Sequence, residues 1–252
     1  MERDSDFTAA EAAASVLQWW SDAGVDVLVD ESPRDWLKPQ AKAPPPGPAV
    51  IPASSPAALP APKAPADLPP DQLDLFQAWL RDSAALPYAS PGAPRVCPSG
   101  DPTAGLMVIA DMPSGEDCTA GTMLSGEAGR LFDRMLAAIG RSRDTIYLAA
   151  LSCLRSPDGR FNSEAAKNCA ELARHHAGLV MPRALLIFGD AASKALLGLP
   201  LVQARGRWHE IATHAGPVRA LVTIAPKQLI EAPAQKRYAW ADLQMLIEEM
   251  KP

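Results

Sequence analysis

The sequence predicts an α/β fold: a three-layer α/β/α sandwich around a four-stranded parallel sheet. Three observations carry that expectation. Four short, nearly continuous apolar runs recur beyond residue 100. Helical patterns with their own start and stop signals lie between them. A proline-rich stretch separates this region from a short N-terminal arm.

The arm covers residues 1–38. It opens on Thr8-Ala9-Ala10-Glu11, a capping-box pattern, and continues through Val16, Leu17, Trp19 and Trp20 to Gly24, as a short amphipathic helix with its C-cap does. A brief strand is expected next, over Val25–Val29. Two adjacent tryptophans on so small an element require cover, either from the main domain or from a protein partner. Residues 39–70 then hold 12 of the 26 prolines. Proline fixes φ and lacks the amide donor, so this segment reads as a semi-extended linker. Residues 71–252, beyond the linker, are enough for one domain with its own core.

In that domain Asp71–Arg81 reads as a helix with Leu73, Phe76, Trp79 and Leu80 near one face. The apolar runs are Leu106–Ala110, Ile146–Ala150, Ala184–Phe188 and Val218–Ile224, the signature of strands buried on both faces. Helical patterns occupy Ser125–Ile139, Ser163–Val180, Ala191–Leu197 and Ala234–Met250. Such alternation makes a doubly wound layer structure. Ligands there bind beyond the carboxyl ends of the strands, which points to residues 111–122, 151–162, 189–191 and 225–233.

A formal charge of −5 argues against holding nucleic acid by bulk charge, so any DNA contact has to use a few local cations. No stretch reaches the roughly 18 uninterrupted apolar residues of a membrane span, and Met1-Glu2-Arg3-Asp4 begins no signal peptide. The expectation is a cytoplasmic monomer whose cysteines, Cys97, Cys118, Cys153 and Cys169, are thiols or metal ligands rather than disulfides.

Six segments, in order, resemble the uracil-DNA glycosylase superfamily, most closely its iron-sulfur branch. Val96-Cys97-Pro98-Ser99-Gly100-Asp101-Pro102 is similar to a V-F-G-x-G-x-P lead-in, and Ala110-Asp111-Met112-Pro113-Ser114 stands at a G-E-A-P-G motif. Gly121–Arg130 stands at G-x-P-F-V-G-x-A-G. Phe188–Gly198 matches the third strand and helix, and Arg205-Gly206-Arg207-Trp208-His209-Glu210 an R-G-x-W-H segment. Thr223-Ile224-Ala225-Pro226, with Lys236-Arg237 and Trp240-Ala241-Asp242-Leu243, matches the frame of T-x-H-P…K-R…W-x-D-L.

The resemblance implies a DNA-repair enzyme that swings a base out of the duplex and hydrolyses its glycosidic bond. It also implies a base pocket of Met112, Pro113, Leu124, Ala149, Ala150 and Ala225. Leu124 replaces the family's stacking Phe, Ala149 or Ala150 its base-reading Asn, and Ala225 its His. Asp111 keeps an acid where the family has a water-positioning Glu, and is the expected catalytic residue. The other reading of Asp111 is a cap of the turn before Pro113. Accordingly two functions stand: a glycosylase acting on uracil or a related damaged base, or a catalytically silent, DNA-binding relative that recruits partners.

For DNA the expected contacts are Ser114, Gly115, Ser125, Gly126, Gly189, Ser193, Pro226 and Lys227, at tight turns and helix starts that present amides to phosphate. Arg205 and Arg207 either join them or cover the sheet edge. The branch's 4Fe-4S cluster needs four thiolates. Cys153 and Cys169 have the spacing of the later pair, but residues 82–87 lack the C-x-x-C, so the cluster is expected to be lost and no metal bound. Finally, Gln72-Leu73-Asp74-Leu75-Phe76 resembles the peptide by which bacterial repair proteins dock on the sliding clamp, with Gln72, Leu73, Leu75 and Phe76 as its anchors. The competing reading makes it the first turn of a core helix.

Overall fold

The four apolar runs form the centre of a sheet, because a strand covered on both faces has no polar side to show. The structure, a computed structural model, describes residues 68–251. The expected arm with Trp19 and Trp20, and the linker through residue 67, lie outside the described residues. In chain order the elements are α1 (Leu73–Asp82), β1 (Ser99–Gly100), β2 (Leu106–Ala110), α2 (Gly115–Ala120), α3 (Gly126–Ala138), β3 (Tyr147–Ala150), α4 (Ser163–Val180), β4 (Ala184–Phe188), α5 (Asp190–Leu197), α6 (Leu201–Ala204), β5 (Trp208–Thr213), β6 (Gly216–Thr223), α7 (Pro226–Glu231) and α8 (Lys236–Glu249).

Among the described residues the sheet has six strands rather than the expected four, in the order β1-β3-β2-β4-β6-β5. Its centre, β3-β2-β4-β6, is parallel as expected. The two additions are antiparallel edges. Neither edge carries an apolar run: β1 is exposed, and only Ile211 of β5 is buried.

Successive side chains of each strand feed opposite layers. Met107 and Ile109 pack with Ala173, Ala177 and Leu196 of α4 and α5. Leu106, Val108 and Ala110 pack with Phe132, Leu136, Leu243 and Leu246 of α3 and α8. No helix among the described residues is long and apolar enough to cross a membrane.

A third cluster, Phe76, Leu80, Leu86, Cys153 and Leu154, seats α1. The Phe76 ring lies 5.0 Å from that of His176 and 5.2 Å from that of His175. Next to it Gln77 Nε2 donates to the Tyr147 hydroxyl (2.7 Å), which bonds His176 Nε2 (2.9 Å). Burial pushes the His176 pKa down to about 3, so the imidazole is neutral in this network. The clamp-like peptide is therefore the first turn of a core helix. Leu75 is 54% exposed but Phe76 only 1%, and a pocket-filling peptide needs both side chains free.

The chain passes from β2 to β3 on one side of the sheet and returns to β4 on the other side of β2. That reversal opens a crevice beyond the carboxyl ends of β2 and β4. Asp111 stands there at the end of β2, and Gly189 at the end of β4.

Candidate active site

Asp111 stands on the crest between two clefts. One, of about 590 Å³, lies toward α3 and α7; the other, of about 790 Å³, lies toward α4 and α5. Its carboxylate is held by backbone. Oδ1 accepts from the amide of Ala192 in the first turn of α5 at 2.7 Å. The N-cap of that helix is Gly189, which has no side chain to cap with, and a Cβ there would lie 2.5 Å from Asp111 Oδ2. Gly189, at φ +94°, thus lets the acid sit against the strand end. Oδ2 has no protein hydrogen bond among the described residues and remains for water or substrate. Burial is the main cause that pushes the Asp111 pKa up to about 6; the Ala192 amide opposes it and the nearby Asp190 carboxylate adds to it.

The first cleft is walled by Met112, Met123, Leu124, Phe188, Ala225 and Ile230. Leu124 takes a left-handed backbone, φ +54°, unusual for a branched residue. Arg143 holds the turn there: Nη1 donates to the Met123 carbonyl (2.8 Å) and Nη2 to that of Leu124 (2.6 Å). Its Nε is paired with Asp133. Arg143 reaches back from the loop before β3, and no motif of the sequence points to it.

Several expected site residues are elsewhere. Ala149 is buried in the layer beneath α4, and Ala150 borders a separate small cavity beside Cys153; neither lines the cleft of Asp111. A parallel strand alternates its faces, so both alanines are committed to packing. Met112, Leu124 and Ala225 do line it. Pro113 is buried, and its carbonyl accepts from Arg155.

The expected phosphate contacts fare similarly. The amides of Ser114 and Ser125 both donate to the buried Asp117 carboxylate, at 2.9 and 2.6 Å, and the Ser114 hydroxyl accepts from Asp117 N. Asp117 closes a capping box on α2 while tying it to α3. These amides are spent, and the S-x-x-D spacing of Ser114 and Asp117 is the sequence signal for it. Gly126 is exposed at the start of α3, and a Cβ there would collide with the Glu116 carboxylate, so an acid lies beside this expected phosphate contact. Gly189 is buried and its amide bonds the Thr223 carbonyl. Ser193 is 0% exposed and donates to the Leu199 carbonyl (2.7 Å). Pro226 is buried at the start of α7. Arg205 is committed to the fully buried Asp242 (3.0 and 3.2 Å) and lies over the Tyr238 ring. Gly115, Gly126, Arg207 and Lys227 remain exposed, and Lys227 borders the cleft. Arg160, Lys167 and Lys194 border the second cleft, cations that spacing alone did not single out.

Cys153 and Cys169 adjoin a cavity of about 20 Å³ that Phe76 and Leu86 also line. Cys153 Sγ donates to the Leu80 carbonyl (3.7 Å). Burial pushes the thiols up to about 12 for Cys153 and about 11 for Cys169. Among the described residues no three His, Cys, Asp or Glu side chains are gathered as metal ligands are. Two protonated thiols against an apolar wall do not fit a four-thiolate cluster. Under native conditions iodoacetamide is expected to modify Cys118 well before Cys153 and Cys169; equal labelling of all three in the folded protein would contradict the burial argument.

The comparisons with known proteins agree with this fold. The model of the uracil DNA glycosylase superfamily matches residues 97–244. A type-4 uracil-DNA glycosylase of Pyrobaculum aerophilum is 24% identical over 153 residues, 58% of this chain and 78% of that protein. One of Archaeoglobus fulgidus is 20% identical over 156 residues, 59% and 78%. With more than half of its length matched, the chain belongs to the uracil DNA glycosylase superfamily, on its type-4-like branch.

Proposed function

We propose that the protein is a DNA-repair hydrolase that cleaves the N-glycosidic bond of a damaged base, with Asp111 as the principal carboxylate. The observation that carries this reading is the Asp111 side chain: fixed through Oδ1, open at Oδ2, and standing at the mouth of a cleft of suitable size. In the proposed step Oδ2 orients a water molecule, accepts its proton as oxygen adds to the sugar, and supports the positive charge that develops there. Lys227, with Arg160 and Lys167, would hold flanking phosphates. The chain is read as working without an iron-sulfur cluster, since Cys153 and Cys169 are turned to packing. Purified protein should be colourless and free of iron, and stoichiometric iron would overturn that part.

Single-turnover cleavage of labelled single- and double-stranded DNA carrying uracil, hypoxanthine or xanthine tests the hydrolase. Abasic sites are expected with the wild type and not with Asp111→Asn. The rate should climb with pH below about 6 and level off above it, since the base acts only when ionised.

A second reading is favoured by one specific observation: Asp111 also completes the first turn of α5, a purely structural task. On that reading the chain is a silent, DNA-binding scaffold. No product from any base at excess enzyme would select it.

A further inference from the structure

We propose that the Asp111 cleft takes a positively charged base: an N-alkylated purine in DNA, of the kind represented by 7-methylguanine and 3-methyladenine. The inference rests on the hydrolase reading above and names its substrate class. Among the described residues five carboxylates border the cleft, Asp111, Glu116, Asp117, Glu127 and Glu231, against one cation, the exposed Lys227. The arrangement is built rather than incidental. Asp117 is buried and fixed by two backbone amides, and Glu116 sits against the first turn of α3. Between these charges the walls are apolar or thioether apart from Ser114 and Ser125, and the described residues put no side-chain amide or imidazole there to read the edge of a neutral pyrimidine.

Bond chemistry points the same way. A neutral base such as uracil departs with the electron pair of its bond to C1′ and becomes an anion, which these carboxylates repel. A cationic alkylpurine departs with the same pair and becomes neutral. Water oxygen bonds to C1′, the C1′–N bond breaks, its electrons discharge the ring cation, and the water proton passes to Asp111. Such a leaving group needs no cation at position 225, and Ala225 supplies none. In the ground state the same acids attract the charged ring, and Met112, Met123 and Leu124 cover its faces.

The test is single-turnover release, at saturating protein, of 7-methylguanine and 3-methyladenine from methylated duplex DNA, against uracil and hypoxanthine in matched duplexes and a protein-free control. The expected result is faster release of the alkylpurines. Neutralising three exposed acids together, Glu116→Gln, Glu127→Gln and Glu231→Gln, should lower alkylpurine release on the order of tenfold and narrow its lead over release of a neutral base. Release of uracil or hypoxanthine at least as fast as the alkylpurines, or an unchanged alkylpurine rate in the triple variant, overturns the inference and leaves the hydrolase standing. Release of nothing from any duplex overturns both.

Discussion

Asp111→Asn raises the thermal midpoint of the protein at pH 8 and leaves it unchanged below pH 4. The folded Asp111 carboxyl titrates near 6 against an ordinary value of 3.8. Between those values the native state holds a proton that the unfolded chain has lost, so stability falls as pH rises through that window. Above about 6 the full cost is present, about 2–3 kcal/mol for a shift of this size. Asn cannot ionise, yet its Oδ1 can still accept from the Ala192 amide, so the variant keeps the cap and sheds the cost. A gain of this size corresponds to roughly 5–10 °C for a domain of this length. Asp111→Ala also removes the charge but loses the cap, typically ~1 kcal/mol, and should fall below Asp111→Asn at every pH. Calorimetry at pH 4 and pH 8 decides the matter. Destabilisation of Asp111→Asn at pH 8 would mean that the ionised acid serves the fold, favouring the silent-scaffold reading.

Phe76→Ala should cost about 3–5 kcal/mol, the range for removing a buried aromatic side chain. The ring is enclosed by Trp79, His175 and His176, and its loss uncovers the Gln77–Tyr147–His176 network from one side. Leu75→Ala, at an exposed position of the same turn, should change stability by less than about 0.5 kcal/mol. Urea unfolding of the two variants separates a core helix from a displayed peptide. Comparable small effects from both would return the segment to the role of a docking motif for the sliding clamp.

The central strands were legible because burial on both faces leaves a plain mark. Leu106–Ala110 and Ala184–Phe188 were bounded to the residue, as was Ser163–Val180, whose Asn162 cap and Pro182 stop frame it. The edge strand Trp208–Thr213 was not, since one buried side chain in six makes no run. Asp111, Met112, Leu124 and Ala225, which border one cleft, were singled out by their place in an ordered set of segments. The failures share a cause. Whether the amides of Ser114 and Ser125 are free depends on a carboxylate three to eight positions away, and whether Ala149 or Ala150 meets the cleft depends on which layer each strand face feeds. Arg143 is beyond any local pattern, because its guanidinium acts on carbonyls about twenty residues upstream.

The way Asp111 is anchored bears on how such a protein can change over generations. Its position is set by a main-chain amide of α5 and by the missing side chain at Gly189, not by the residues that shape the cleft. Leu124 and Ala225 sit on separate turns that can exchange side chains without shifting the acid. On the proposed hydrolase function, recognition and hydrolysis are thereby uncoupled: a lineage can lose one specificity and acquire another by drift in the walls while the acid stays in register.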